Sequence, residues 1–327
     1  MMLVLAVATS LFGCENTVDY DAALQTPTLV MNGFLDASQT FNIIMVAVTG
    51  ETAPEIPGNP IVQLYRNGRQ ITTELVTSPE FSIYPQCIAA MQMQAGDKIR
   101  VEATANSAVG RLMAWAEDVV PEAPAISRIA ISRPNTKDIS TFSASVTFTD
   151  VPNTENYYRL LIEGYVEISG ASTFTANDTV ITYTMPCDLD TGADPILNRG
   201  HISGGGEALW LLEQAENKAA VFDDSMLNGE QTLTVTNKNA IHFEYADTRD
   251  IIDRYFRYYI KVRLQAITSA EYHYMSVWNT YASDSYEPVL GGPIHFPSNV
   301  NGGTGIVGIS NEAVAMELIM ESAMPWN

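Results

Sequence analysis

Stretches in which every second residue is apolar recur from Thr28 to Met320, a period that predicts strands rather than helices. The most regular is Arg257 to Ala266. Tyr258, Ile260, Val262, Leu264 and Ala266 share one face, and Tyr259, Lys261, Arg263 and Gln265 the other. Ser143 to Thr149 alternates as strictly, and Tyr157 to Ile168 sets Tyr158, Leu160 and Ile162 opposite Arg159 and Glu163. Upstream, Thr28 to Leu35 and Phe41 to Val48 are short, rich in β-branched residues and separated by polar turn residues. Glu51 to Pro60 reads as a loop, Ile61 to Tyr65 as a strand, and Asn67-Gly68 as a tight hairpin turn leading back at Ile71. Lys98 to Ala103 and Arg111 to Ala116 complete the first set, and Ala313 to Met320 is a last strand.

One segment breaks the period of two. Thr268-Ser269-Ala270-Glu271 has the form of a capping box, with Thr268 bonding the backbone and Glu271 reaching back. Tyr274, Val277, Trp278 and Tyr281 follow at helical spacing, an aromatic stripe expected to face the core. The fold class is therefore mainly β. An immunoglobulin- or fibronectin-like β-sandwich over residues 27–120 precedes a larger β-rich domain over 125–327 with one short helix. Val119 to Pro124 is the seam.

The N-terminus follows another pattern. An apolar run from Met2 to Phe12 leads into Gly13 and Cys14, and Leu11-Phe12-Gly13-Cys14 resembles the lipobox of bacterial lipoproteins. The run is shorter than the roughly 20 residues of a spanning helix and has the length of a secretory signal core, although no Lys or Arg precedes it. Residues 1–13 are then a signal peptide, Cys14 the lipidated residue, and 14–26 a polar, acidic tether. This resemblance implies an outer-membrane, lipid-anchored protein on the cell-surface or periplasmic face.

Charge narrows the partners. A net charge of −21 argues against nucleic acid and against adsorption to anionic lipid. Hydrophobic content of 46% with 17% charged residues describes a folded chain. Of the three cysteines, Cys87 and Cys187 remain after Cys14. In an oxidising compartment they are a candidate disulfide, the alternative being two buried free thiols.

Chemistry is sparse. None of His201, His242, His273 and His295 stands four residues from another, so zinc spacing is missing. Gly200 to Glu207 is Gly-rich but lacks the Gly-x-Ser-x-Gly form of a hydrolase. Asp188, Asp190 and Asp194 space oxygens as a calcium loop does, yet Arg199 occupies the place of an EF-hand glutamate, and no metal is assigned. The long polar segment Cys187–Glu207, with Asp188, Asp190, Asp194 and His201, is the candidate contact loop. Thr179 in Asp178-Thr179-Val180 and Ser225 in Asp224-Ser225-Met226 look like the Asp-Ser/Thr-apolar acceptors of bacterial O-glycosylation. No catalytic residue, enzyme activity or cofactor is assigned.

Four segments in order carry a family resemblance: Val221 to Gly229, Glu271-Tyr272-His273-Tyr274, Glu287-Pro288-Val289, and Ser298 to Gly308. They resemble the Bacteroidota lipoprotein family of unknown function DUF4249, departing from it only in having Val307 in place of an aromatic and Tyr286 in place of phenylalanine. The resemblance implies the anchor and an accessory role beside a TonB-dependent transporter of the outer membrane, without known chemistry. The expected function is thus a non-enzymatic binding lipoprotein. The alternative is a structural or adhesive surface protein whose sandwich contacts glycans.

Overall fold

The computed structural model describes residues 26–50, 53–76, 82, 84–134, 141–152, 154–172, 178–199, 216–225, 227, 229–237, 251–283 and 294–323. The strands are, in chain order, β1 (Leu29–Asp36), β2 (Phe41–Val48), β3 (Gly58–Arg66), β4 (Arg69–Ile71), β5 (Thr73–Val76), β6 (Gln86–Ala90), β7 (Lys98–Ser107) and β8 (Gly110–Val119). There follow β9 (Ala125–Ser132), β10 (Ser143–Thr149), β11 (Tyr157–Ser172), β12 (Asp178–Pro186), β13 (Leu189–Asp190), β14 (Val221–Asp223) and β15 (Glu230–Asn237). β16 (Ile251–Ile267), helix α1 (Ser269–Tyr281) and β17 (Gly303–Ala323) close the order.

One nine-stranded sheet runs β12-β11-β16-β17-β1-β2-β6-β5, with β14 beside β11. Two four-stranded sheets, β4-β3-β7-β8 and β13-β15-β10-β9, pack on the same face of it. Each encloses its own core. The first gathers Leu29, Met31, Ile44, Leu64, Ile99 and Val101; the second gathers Phe148, Tyr158, Ile162, Leu233, Val262 and Leu264. The mainly β, sandwich-type class read from the period of two is the class observed.

Local chemistry explains these elements. In β16 the alternation puts Tyr258, Ile260, Val262, Leu264 and Ala266 inside. The Asn67-Gly68 turn takes φ of 52° and 77°, the double positive φ that a tight two-residue hairpin needs. Gly229 also has positive φ, 68°.

The last strand joins the two halves. Gly303–Ser310 pairs in parallel with β1, and Ser310–Ala323 pairs antiparallel with β16. The Gly-rich stretch that begins at Gly303 is therefore the first part of a 21-residue strand. Its glycines are needed because backbone presses against it: a Cβ on Gly305, whose φ is 108°, would stand 2.2 Å from the Met31 carbonyl oxygen. Val300, Val307 and Ile309 belong to the first core. The seam at 119–124 thus divides the cores, while the first core draws its final strand from the far end of the chain.

Candidate functional site

The nine-stranded sheet has one face against the two smaller sheets. Helix α1 lies across the opposite face, and the unusual chemistry of the described residues gathers there.

Helix α1 starts without the expected capping box. Thr268 has extended backbone and its side chain makes no cap bond; its hydroxyl instead accepts the Ile309 N–H at 3.3 Å. Glu271 does not reach back either, since it is turned under the helix and is 2% exposed. The aromatic stripe is reversed as well. The helix buries Glu271, Tyr272, Met275, Ser276, Asn279 and Thr280, while Trp278 and Tyr281 are exposed and Tyr274 and Val277 are half-buried. The reason is the surface beneath. Asn279 accepts the Ala219 N–H and donates to Asn217, whose amide in turn donates to the Leu197 and Val221 carbonyls. Polar groups are needed to satisfy that bent backbone, so small polar residues take the inner stripe and the large rings turn out. Tyr272 is the aromatic that stays in, stacked on Tyr157 at 4.7 Å with its hydroxyl donating to Asp223.

Under the first turn of α1 lies a group of buried ions. Gly308 of β17 leaves the hollow that Glu271 fills: a Cβ there would stand 2.5 Å from Glu271 Oε2 and 2.9 Å from the Phe34 ring. Glu271 Oε2 has no hydrogen-bond partner, and neither has Arg159 Nε on β11. Burial pushes the Glu271 carboxyl up to about 7 against the pull of the Arg159 charge, and Asp36 adds to the rise. Burial likewise lowers the Arg159 guanidinium, which Glu271 opposes. Next to them Arg263 of β16 gathers three carboxylates, Glu312 at 2.7 Å, Asp36 at 2.9 Å and Glu163 at 3.3 Å. Burial disfavours the Arg263 charge, but Glu312, Glu163 and Asp36 together carry its pKa above the ordinary value. Lys261 adds a further contact to Glu163 at 3.6 Å. These groups join β1, β11, β16, β17 and α1.

Around this centre the face is apolar and open. Phe34 of β1 meets Tyr274 at 6.0 Å, Tyr274 meets Phe296 at 5.0 Å, and Phe296 meets Tyr281 at 5.9 Å. Phe34 is 43% exposed and Tyr281 58%. Phe41 and Ile43 of β2, and Val314, Met316 and Leu318 of β17, are also exposed and share this face by register. Exposed apolar side chains gathered on one face are the kind of surface at which proteins make contacts. Such a face can hold a partner by shape and apolar burial.

The residues singled out from the sequence lie elsewhere. Cys14 and His201 are outside the described residues, as is the Thr179 side chain. Cys87 and Cys187 are free thiols, which corrects the disulfide expectation. They sit in different cores, Cys87 in the first and Cys187 beside the second, and burial raises both, Cys187 to about 12. Within the candidate contact loop, Asp194 is corrected from a contact residue to a structural one. Asp188 and Asp190 are exposed, but Asp194 is buried: Oδ1 accepts the Ile196 and Leu197 N–H groups and Oδ2 that of Thr234. It therefore caps the 3-10 turn Leu197–Arg199 and fastens it to β15. Ser225 is exposed and its hydroxyl donates to Asp223. Among the described residues no three His, Cys, Asp or Glu side chains converge on a metal position. A small cavity of about 130 Å³ on the first sandwich, lined by Tyr65, Gly68, Lys98, Arg100, Glu102 and Glu117, has its charged walls already paired, Lys98 with Glu117 and Arg100 with Glu102.

The alternation did contain a signal for the open face. Leu29, Met31 and Leu35 point in, which sends Phe34 and Asp36 out. Nothing local revealed that α1 would cover Asp36 and leave Phe34 partly bare.

Two of the segments that carry the family pattern touch this face: Val221 packs with Tyr272 and Met275 of α1, and Gly308 lies against Glu271 and Phe34. A family model, "Domain of unknown function (DUF4249)", matches residues 15–315. The chain belongs to the DUF4249 family. No curated protein matches it. Among solved structures, a DUF4785 family protein from Legionella pneumophila matches with a TM-score of 0.23 and 10% identity, over 72% of this chain and 51% of that one. The DUF4249 chain thus spans about half the length of the Legionella structure it matches. A titin tandem of immunoglobulin domains has a TM-score of 0.20 at 9% identity, covering 73% of this chain and 88% of its own. The FN1–FN3 domains of chicken CNTN1 have 0.21 at 13%, covering 72% and 57%.

Proposed function

We propose that this DUF4249 protein is a non-enzymatic binding lipoprotein, anchored through Cys14 to the outer membrane and docked on a TonB-dependent transporter. The observation that carries the reading is the open face around α1, where Phe34, Trp278, Tyr281 and Phe296 are exposed on an otherwise acidic chain. Aromatic rings on a rigid sheet give contact area at little entropic cost, which is what a docking surface needs. The lipobox-like Leu11-Phe12-Gly13-Cys14 supports the anchor, since the acyl chains of a processed lipoprotein confine it to a bilayer surface. The buried ions beneath α1 serve to hold the helix that presents the rings.

Exposed aromatic residues also favour a second reading, an adhesive protein that stacks sugar rings on Tyr281 and Trp278. Crosslinking of the native protein in cells, followed by identification of the membrane partner, separates the two. A stoichiometric transporter that is lost in a Phe34→Ser/Tyr281→Ser variant supports docking. Recovery of no membrane protein, with retained glycan binding, overturns it. Labelling with a fatty-acid probe tests the anchor, and a Cys14→Ala protein that still takes up label refutes it.

A further inference from the structure

The end of the nine-stranded sheet carries an interaction surface that the docking face does not use. β12 is its terminal strand, and among the described residues no strand pairs with its outer edge. Other edges are blunted. β5 has four residues and an acid, Glu74; β4 has three and begins with Arg69; β13 has two and ends in Asp190. β8 is long but carries Arg111, Glu117 and Asp118 and is bridged at Trp115 to Asn301, and β9 carries Arg128. β12 has nine residues, Asp178-Thr179-Val180-Ile181-Thr182-Tyr183-Thr184-Met185-Pro186, with no charge after the first. Such a strand is an open template for pairing.

Its register says which groups are on offer. Glu163 pairs with Pro186, the ladder runs unbroken to Ala171 and Asp178, and the Cys187 N–H donates to Ile162. Antiparallel ladders alternate, so Met185, Tyr183, Ile181 and Thr179 turn their amides to β11. Asp178, Val180, Thr182 and Thr184 turn theirs outward. Pro186, which has no N–H, also falls on an outward position, where it leaves the β11 ladder intact.

We infer that two copies of this chain pair through β12, antiparallel, about a two-fold axis at Thr182. In that register Thr182 faces Thr182 of the second copy and Val180 faces Thr184, so these three residues of each strand exchange both backbone bonds. On the inner face Ile181 meets Tyr183, a β-branched residue against an aromatic, a favourable cross-strand pair. Absence of charge matters in a chain of net charge −21: the one acid, Asp178, lies opposite Pro186 and not opposite its own copy. Val180 at 60% exposure would gain cover on the outer face. The pairing is independent of the docking face around α1, which lies on a different part of the sheet.

Thr182→Cys in the full chain, oxidised in the membranes of cells that produce it, is the decisive experiment. Hydrogen-bonded antiparallel partners stand about 5.5 Å apart at Cα, inside the disulfide range. The expected result is a disulfide-linked dimer that is missing from the unsubstituted chain and from Met113→Cys, which is exposed on the other sandwich. Adding Val180→Lys with Thr184→Lys should abolish the dimer, because lysines then face lysines; Val180→Lys with Thr184→Glu should restore it. Cooperative unfolding of each variant shows that it is folded. No dimer from a folded Thr182→Cys chain, equal dimer from Met113→Cys, or a crosslink to a different protein overturns the inference.

Discussion

The two faces of β16 differ by one residue step and follow different rules. Toward the smaller sheet stand Tyr258, Ile260, Val262 and Leu264, all buried among apolar neighbours. Toward α1 stand Tyr259, Lys261, Arg263 and Gln265, and yet Gln265 is buried and the Arg263 side chain is only 15% exposed. The inner face is stabilised by removal of apolar area from water, which tolerates changes of shape. The outer face places ions out of water and depends on each having its partner. One strand therefore shows that a polar row need not be a solvated row.

Breaking each face at one residue sharpens that contrast. Arg263→Ala leaves Asp36 and Glu312 without their cation and Glu163 with Lys261, and urea unfolding should show a loss of about 3–5 kcal/mol. Leu264→Ala, on the other face of the same strand, should cost about 2–4 kcal/mol through lost transfer energy and a cavity. If Arg263→Ala costs less than the leucine change, the ion group is wetter than its burial implies.

Glu271 offers a test by pH. Its carboxyl is raised from 4.5 to about 7 in the folded chain, so the folded state binds the proton more tightly than the unfolded one. Stability from this group is present in full below pH 4.5 and is lost as pH rises through 7. Glu271→Gln removes the titration, so relative to wild type it should gain about 2–3 kcal/mol between pH 5 and pH 8, read as the difference in melting temperature. An unchanged difference across that range would show that Arg159 keeps Glu271 ionised throughout. Gly308→Ala presses a methyl into the same hollow and should cost about 1–3 kcal/mol, with faster amide exchange in α1 than in β16. The smallest effect on stability belongs to Tyr281→Ser, within about 0.5 kcal/mol, since the ring is exposed; its effect should appear in partner capture instead.

The helix shows where local reading stops. Tyr274, Val277, Trp278 and Tyr281 form a stripe by spacing, and spacing cannot say which side of the helix meets the sheet. That was decided by Gly308, which leaves room for Glu271, and by Asn217, which needs Asn279. Asp194 is a similar case. Its place among spaced acids suggested a contact loop, but Thr234, 40 residues on, supplies the N–H that makes it a structural cap. Cys87 and Cys187 also looked like partners until each was seen in its own core.

Alternation along the chain was enough to establish the strands, the faces of β10, β11 and β16, the hairpin at Asn67-Gly68 and the mainly β class, because each depends on neighbours within a few residues. Tertiary structure alone decided that β17 would cross between the two cores, that Arg263 would meet Asp36 across 227 residues, and that the rings of α1 would face outward. Those outcomes depend on which distant backbone leaves a hollow or an unpaired amide, and no local period records that.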